Sequence, residues 1–287
     1  MPAERVIRIE RDGHVATVWL DRPDARNALG PPFFEQLPAA MEELSSDRDV
    51  RAVVVAANGA HFTVGLDLKA MGGLISGGGE GDGSSSPAGD GSRREPSMAA
   101  QAAGTRETVL RLQRSISSVA DCPKPVIAAI HGYCIGGGVD LASACDVRLA
   151  SADAVFSVRE TRIAIVADLG SLQRLPLIIG KGHVAELAYT GKDISAERAK
   201  EIGLVNDVLS DAEGARKAAA EMASEIAANS PFAVQGTKAV LRACEGRSVE
   251  EGLDYVATWN AGFLRSEDLM EAMGAFLEKR SPRFEGR

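Results

Sequence analysis

The stretch that decides the fold is AAIHGYCIGGGVD, residues 128–140. It overlaps a short apolar run, Val126–Ile130, which predicts a buried strand. Glycines 136–138 then predict a turn, and the apolar pattern of Val139–Ala144 predicts a helix. Glycines at such a turn leave backbone N–H groups unshielded, and the positive end of the helix dipole adds to them. The stretch therefore predicts a site for a developing negative charge, such as an enolate oxygen.

Three carboxylates accompany this turn. Asp140 ends the stretch itself, and Glu160 and Asp168 follow it. An apolar run, Ile163–Ala167, separates the last two, and we expect it to desolvate both carboxyl groups and raise their pKa values towards neutrality. The pattern predicts that the glycines hold an oxyanion while the carboxylates move protons.

The length, composition and net charge of the chain narrow the possible classes of protein. The chain has 287 residues, of which 45% are apolar, so one large domain or two smaller ones can bury a core. The net charge of −8 argues against nucleic acid as the main partner. The four cysteines and four histidines show no metal-ligand spacing, so we expect reduced thiols and no metal site. The N-terminus has no apolar signal region and no long apolar run follows, which predicts a cytoplasmic protein without membrane contact.

Strand and helix signals alternate through most of the chain, which predicts an α/β fold. We expect an α/β core over residues 1–205 and a helical C-terminal module over 206–287. Residues 72–104 are rich in Gly and Ser and predict a flexible insertion within the core. An amphipathic helix is predicted directly after it, over Thr105–Ala120.

Several common motifs are missing from the sequence. It has no phosphate-binding P-loop, no complete dinucleotide fingerprint, no H-E-x-x-H and no G-x-S-x-G. His131 stands beside the glycine turn, but no acid or nucleophile accompanies it, so we interpret it as structural.

Several short motifs stand in a characteristic order over most of the chain. They are Arg22-Pro23, Arg26-Asn27-Ala28, Phe62, Gly65-Leu66-Asp67, residues 123–132, Gly136-Gly137-Gly138, Cys145-Asp146 and residues 173–176. In these motifs and their order, the chain resembles the crotonase (enoyl-CoA hydratase/isomerase) superfamily. The resemblance implies a spiral of ββα repeats followed by a helical oligomerisation module, assembled as a homotrimer or a dimer of trimers.

The resemblance also implies the ligand and its contacts. The ligand would be an acyl-CoA thioester, and no separate cofactor is implied because coenzyme A is part of the substrate. The N–H groups of Leu66 and Gly137 would form the oxyanion hole. Further substrate contacts are implied for the neighbouring positions, Gly65, Asp67, Lys69 and Gly136. Taken alone, Asp67 is more typical of a helix cap and Lys69 of a solvated helix residue.

The carboxylates indicate a branch of the family. Typical hydratases use two glutamates twenty residues apart, whereas Asp140 and Glu160 stand here at those positions, with Asp168 in addition. The triple resembles the branch that converts 3,5-dienoyl-CoA to 2,4-dienoyl-CoA in fatty-acid β-oxidation. That resemblance assigns Glu160 to carbon 2 and Asp168 to carbon 6, and we give Asp140 a supporting role.

Two alternatives stay open. One is an enoyl-CoA hydratase or a 3,2-enoyl-CoA isomerase, which would act on simpler thioesters. The other, from a different class, is an acyl-CoA-binding protein without activity. The complete set of acids argues against the second alternative.

Overall fold

The computed structural model describes residues 4–72 and 97–287. The strands are β1 (Ile7–Asp12), β2 (Val15–Leu20), β3 (Ala52–Ala57), β4 (Val126–Ile130), β5 (Tyr133–Ile135), β6 (Val147–Ser151), β7 (Val155–Ser157), β8 (Ile194–Ser195) and β9 (Asp207–Leu209). The helices are α1 (Pro31–Ser46), α2 (Met98–Asp121), α3 (Gly137–Ala144), α4 (Ser171–Ile178), α5 (Lys181–Thr190), α6 (Ala196–Glu201), α7 (Ala212–Ala227), α8 (Pro231–Ala243), α9 (Val249–Phe263) and α10 (Glu267–Glu278).

The strands form a large sheet and a small one. The order in the large sheet is β1-β2-β3-β4-β6-β9, and that in the small sheet is β5-β7-β8. Strands β1 and β2 form an antiparallel hairpin, whose turn contains Gly13 with φ +54°. The remaining neighbours in the large sheet pair in parallel.

The chain winds as a spiral in which each turn repeats the same sequence of elements. Strand β4 lies in the large sheet, β5 lies in the small sheet, and α3 follows. The next turn repeats this with β6 and β7, which pair in parallel with β4 and β5. The preceding turn has β3, then a single bridge from Thr63 to Cys134 in place of a second strand. The ββα spiral implied by the resemblance is therefore confirmed.

The large sheet is buried on both faces. In β3, Val53 and Val55 join the main core, which also contains side chains of α1 and α2. Val54 on the opposite face packs with Ala219 and Ala223 of α7. This alternation explains why β3 is an unbroken apolar run, which is typical of a strand covered on two sides.

Two elements beyond the predicted boundary at residue 205 contact the large sheet. Strand β9 pairs with β6 at the edge of the large sheet, and α7 covers the second face of that sheet. Residues 207–227 therefore belong to the core. The small side chains of α7 let α7 approach the strands of the sheet closely. The helical module therefore begins after it, at α8.

The predicted insertion also needs a correction at its C-terminal end. Residues 73–96 lie outside the described residues, but residues 98–104 are the first part of α2. Ser97 caps this helix, since its side chain accepts a hydrogen bond from the Ala100 N–H at 3.2 Å. An N-cap serine followed by alanines favours a helix despite the low hydrophobicity of the segment.

Hydrogen bonds connect the C-terminal residues to the rest of the fold. Arg51, just before β3, donates to the main-chain oxygens of Ala227 at 3.1 Å and Phe284 at 2.8 Å. Asp268, at the start of α10, accepts hydrogen bonds from the N–H groups of Glu285 and Gly286. Among the helices in the described part of the chain, none has the length and apolar character needed to cross a membrane.

The place of α7 in the core can be tested with two adjacent alanines. Ala219 is fully buried against the sheet, whereas Ala220 is exposed. We expect Ala219→Leu to lower the free energy of unfolding by about 1–3 kcal/mol, because added methyl groups overpack the contact. Ala220→Leu, the matched control, should leave it nearly unchanged in chemical denaturation. Equal stability of the two variants would contradict the placement of α7.

Candidate active site

The backbone N–H groups of Leu66 and Gly137 lie close together where successive turns of the spiral meet. The Thr63 N–H donates to the Tyr133 oxygen at 2.9 Å, and the Ile135 N–H donates to the Thr63 oxygen at 3.2 Å. Directly after this ladder, a Cβ built on Gly65 would lie 3.6 Å from the Gly137 nitrogen. Among the described residues, neither the Leu66 N–H nor the Gly137 N–H has a hydrogen-bond acceptor. The two groups are therefore available to an external oxyanion.

This approach requires glycine at two positions. Gly65 has φ +88°, and a Cβ there would lie 2.7 Å from the Ile135 oxygen. Gly136 has φ +51°, and a Cβ there would lie 3.1 Å from Oε1 of Glu160. The turn at Gly136 also starts α3 at Gly137, two residues before the predicted start at Val139. The Gly137 N–H consequently belongs to the first turn of a helix, where backbone donors have no partner within the helix.

Asp140 lies in α3 and is almost fully buried. Its Oδ1 accepts a hydrogen bond from the Ser171 N–H, at the start of α4, at 2.6 Å. Burial raises the pKa of Asp140 to about 6; the bonds from Ser171 oppose the rise, and the charge of Asp168 adds to it. The carboxylate thus links α3 to α4 and lies near the other acids.

Glu160 begins a 3-10 turn after β7. The Gly136 N–H donates to the Ser157 oxygen at 2.8 Å, which brings this turn against the glycines. Burial, together with the charges of Asp140 and Asp168, raises the pKa of Glu160 to about 7. Its Oε2 is buried without a hydrogen-bond partner among the described residues. A carboxyl group with this pKa and a free oxygen can accept or donate a proton at neutral pH.

Asp168 lies in the loop that leads into α4, where burial raises its pKa. The predicted cause, desolvation, is confirmed as the main reason for both raised pKa values. Ile163 and Val166 of the apolar run are 45% and 72% exposed, so these two side chains do not account for it. Ala167, at the end of the run, is buried in the main core.

Two of the other predicted contacts, Asp67 and Lys69, lie on one turn. Asp67 forms an ion pair with Arg22 at 2.8 Å and accepts a hydrogen bond from the Ala70 N–H at 3.1 Å. Arg22 holds the pKa of Asp67 below its usual range. These bonds fix the loop that carries Leu66. Lys69 is exposed on the same loop, and contact of either side chain with a substrate stays a prediction.

Two buried polar residues shape the Leu66 loop, although sequence patterns alone predict no role for them. Asn27 donates through its side chain to the oxygens of Asn58 at 2.8 Å and His61 at 2.9 Å. Thr63 donates to the Asn27 oxygen at 2.6 Å and accepts a hydrogen bond from the Gly65 N–H at 3.1 Å. Asn27 belongs to a matched motif, so the available signal was the resemblance itself.

The remaining titratable groups near the turn fit structural roles. Nε2 of His131 lies 2.9 Å from the Gly59 oxygen, and burial lowers the pKa of this histidine. Within residues 4–72 and 97–287, no three His, Cys, Asp or Glu side chains gather as a possible metal site. The glycine turn at residues 136–138 brings two free N–H groups beside three carboxyl groups with raised pKa values. This arrangement can hold an oxyanion while protons move.

Known proteins resemble the chain over nearly its whole length. The family model for enoyl-CoA hydratase/isomerase matches residues 10–86 and 88–287. A peroxisomal Delta(3,5)-Delta(2,4)-dienoyl-CoA isomerase from Arabidopsis thaliana is 42% identical over 97% of this chain and 95% of that protein. A mitochondrial protein of the same name from Rattus norvegicus is 42% identical over 93% of this chain and 77% of that protein.

The fold agrees with a solved structure. The crystal structure of an enoyl-CoA hydratase from Bacillus anthracis superposes with a TM-score of 0.84 and 31% identity, covering 99% of this chain and 100% of that one. The implied resemblance is thus confirmed: the chain is an enzyme of the enoyl-CoA hydratase/isomerase family, the crotonase superfamily.

Proposed function

We propose that this enzyme isomerises 3,5-dienoyl-CoA to 2,4-dienoyl-CoA. The observation that carries the proposal is the cluster of Asp140, Glu160 and Asp168, three acids whose pKa values burial raises, beside two free N–H groups. A shift between distant carbons needs two proton-transfer groups as well as an oxyanion site, and this cluster offers both. Relatives with 42% identity carry the name of this isomerase.

The first step removes a proton from carbon 2. Glu160 acts as the base because its carboxyl group lies against Gly136, next to the N–H groups of Leu66 and Gly137. The C–H electron pair moves into the conjugated system, and negative charge collects on the thioester oxygen. The two N–H groups stabilise that oxygen, and each such donor contributes about 3 kcal/mol in comparable sites.

The second step returns a proton at carbon 6. Asp168 starts protonated, which its raised pKa favours, and donates its proton to the far end of the trienolate. The double bonds then stand at carbons 2 and 4. Asp140 is neither donor nor base in this scheme. Its buried carboxyl group fixes the start of α4 and raises the pKa of Glu160.

The setting follows from the same proposal. Double-bond rearrangement of a dienoyl-CoA serves fatty-acid β-oxidation, and the proton transfers need no metal or resident cofactor because coenzyme A arrives with the substrate. We retain a homotrimer or dimer of trimers, with α8–α10 as the oligomerisation module. A cytoplasmic location stays a prediction, since the Arabidopsis relative is named peroxisomal and the rat relative mitochondrial.

Replacing Asp168 tests the proposed chemistry. We expect Asp168→Asn to lower kcat for 3,5-dienoyl-CoA about 10²- to 10⁴-fold, because the amide keeps the shape but cannot deliver the proton. The appearance of the conjugated 2,4-diene is followed by its absorbance. Asp12→Asn, at an exposed position of β1, is the matched control and should leave turnover unchanged. Near-normal turnover of Asp168→Asn would contradict the assignment.

The same assay separates the isomerase from a hydratase. If the wild-type enzyme hydrates crotonyl-CoA faster than it isomerises 3,5-dienoyl-CoA, the hydratase alternative replaces the proposal. Tight binding of acyl-CoA without turnover of any enoyl or dienoyl thioester would instead support the binding protein.

The pH dependence should follow the acid cluster. Glu160 must be deprotonated to act, so kcat/KM should fall as the pH drops through an apparent pKa between about 6 and 7, which belongs to the coupled cluster. The charge of Asp140 raises the pKa of Glu160. In Asp140→Asn the acid limb should therefore move to lower pH, as measured by initial rates from pH 5 to 9. A limb that stays fixed or moves upward would contradict this coupling.

The raised pKa of Glu160 also predicts a cost in stability. Its pKa is about 7 in the folded protein against an ordinary value of 4.5, so the folded state binds the proton more tightly. This group's contribution to stability is complete below pH 4.5 and is lost as the pH rises through 7. We expect Glu160→Gln to exceed wild type by about 1–3 kcal/mol at pH 8, and to match it near pH 4.5, in urea unfolding. Identical stability at pH 8 would contradict the burial of this charge.

A further inference from the structure

Helix α2 contacts the loop that carries Asp168 through two side chains one helical turn apart. Nε2 of Gln113 donates to the main-chain oxygen of Asp168 at 2.7 Å. Oγ of Ser117 accepts a hydrogen bond from Nη2 of Arg174 at 3.0 Å. Nη1 of the same arginine donates to the Leu169 oxygen at 3.3 Å. Two successive carbonyl groups of the loop are thus held, directly or through Arg174, from α2.

Helix α2 is a firm support because its opposite side is part of the core. Leu112, Ile116 and Val119 are buried in the main cluster. Gln113 and Ser117 each follow one of these core residues by one position, so they share an adjacent face of the helix, at i and i+4. Core packing on one face fixes the position of the other face, which suits it to hold reactive groups accurately.

The loop is fixed at its next two residues as well. Gly170 has φ +123°, and a Cβ there would overlap Nη1 of Arg174, so the guanidinium group packs directly against the glycine. The Ser171 N–H donates to Asp140 at 2.6 Å. Every residue from 168 to 171 is therefore held through its main chain.

The Asp168 carboxylate itself is held differently. Within the described residues, no side chain donates a hydrogen bond to it. Its position consequently depends on the main chain of residue 168, and the Gln113 bond is the contact that fixes this main chain directly.

We propose that Gln113 is a positioning residue for Asp168, which it holds in place to deliver the proton at carbon 6. The inference rests on the proposed isomerisation and adds a residue 55 positions away in the chain. Glu160 belongs to a different turn and has no bond to Gln113. Loss of the Gln113 bond therefore impairs the second proton transfer and spares the first.

The test separates the two transfers. Gln113→Met keeps the length of the side chain and removes its N–H donor. In D₂O, removal at carbon 2 appears as deuterium in recovered 3,5-dienoyl-CoA, measured by mass spectrometry, and delivery at carbon 6 appears as the 2,4-diene. We expect kcat for isomerisation to fall about 10- to 100-fold, as for misplaced catalytic groups, with KM unchanged. The ratio of exchange to isomerisation should rise by the same factor.

Two further variants keep the test decisive. Arg114→Met places the same new side chain at the exposed neighbouring position of α2 and should leave both rates unchanged. Ser117→Ala removes only the acceptor for Arg174, and it should raise the same ratio by a smaller factor. It replaces Gln113→Met if that variant does not fold.

Two results would overturn the inference. An equal fall in exchange and isomerisation would show that Gln113 supports the fold in general, and unchanged rates would show that the bond has no role in the second transfer. Failure of the wild-type enzyme to isomerise the diene is a separate outcome, because it rejects the proposed function before any variant is compared.

Discussion

The ladder between Thr63 and Cys134 is the interaction on which the site depends. Its two hydrogen bonds set the register between successive turns of the spiral, and the N–H groups of Leu66 and Gly137 follow directly after it. The next turn is added by the bond from the Gly136 N–H to the Ser157 oxygen, which brings Glu160 to the same place. The proposed oxyanion donors and the proposed base therefore come from three successive turns of the spiral. A shift of one residue in any of these pairs would separate them.

Burial raises the pKa values of these acids, and it also makes their charged forms unfavourable for the stability of the fold. Glu160 and Asp140 have raised pKa values chiefly because water is excluded from them; the charge of Asp168 adds to both shifts, and that of Asp140 adds to the shift of Glu160. The fold tolerates these charges because Asp140 retains a hydrogen bond from Ser171. The orphan Oε2 of Glu160 has no such compensation among the described residues, which is typical of a group kept free for a proton.

Local sequence signals predicted the fold well where a single element decides the outcome. The strand Val126–Ile130 agrees residue for residue, because an unbroken apolar run needs no distant information. Strand β9 was missed, since three residues become a strand only through pairing with β6. In the site, the three acids and two N–H donors were identified through the family resemblance. The bond from Gln113 to Asp168 joins residues with no common motif, so only the folded chain reveals it.

In the spiral, the register between successive turns does not depend on the length of the segments that connect them. The ladder constrains Thr63 and Cys134, and the bridge from Leu29 to Leu66 constrains the preceding turn. Neither pairing depends on how many residues connect the Leu66 loop to α2. The entropy of closing a connection grows only slowly with its length. The protein can therefore acquire or lose sequence between Gly72 and Ser97 without moving its reacting groups. Variation in the length of that connection is therefore compatible with a fixed register between the turns of the spiral.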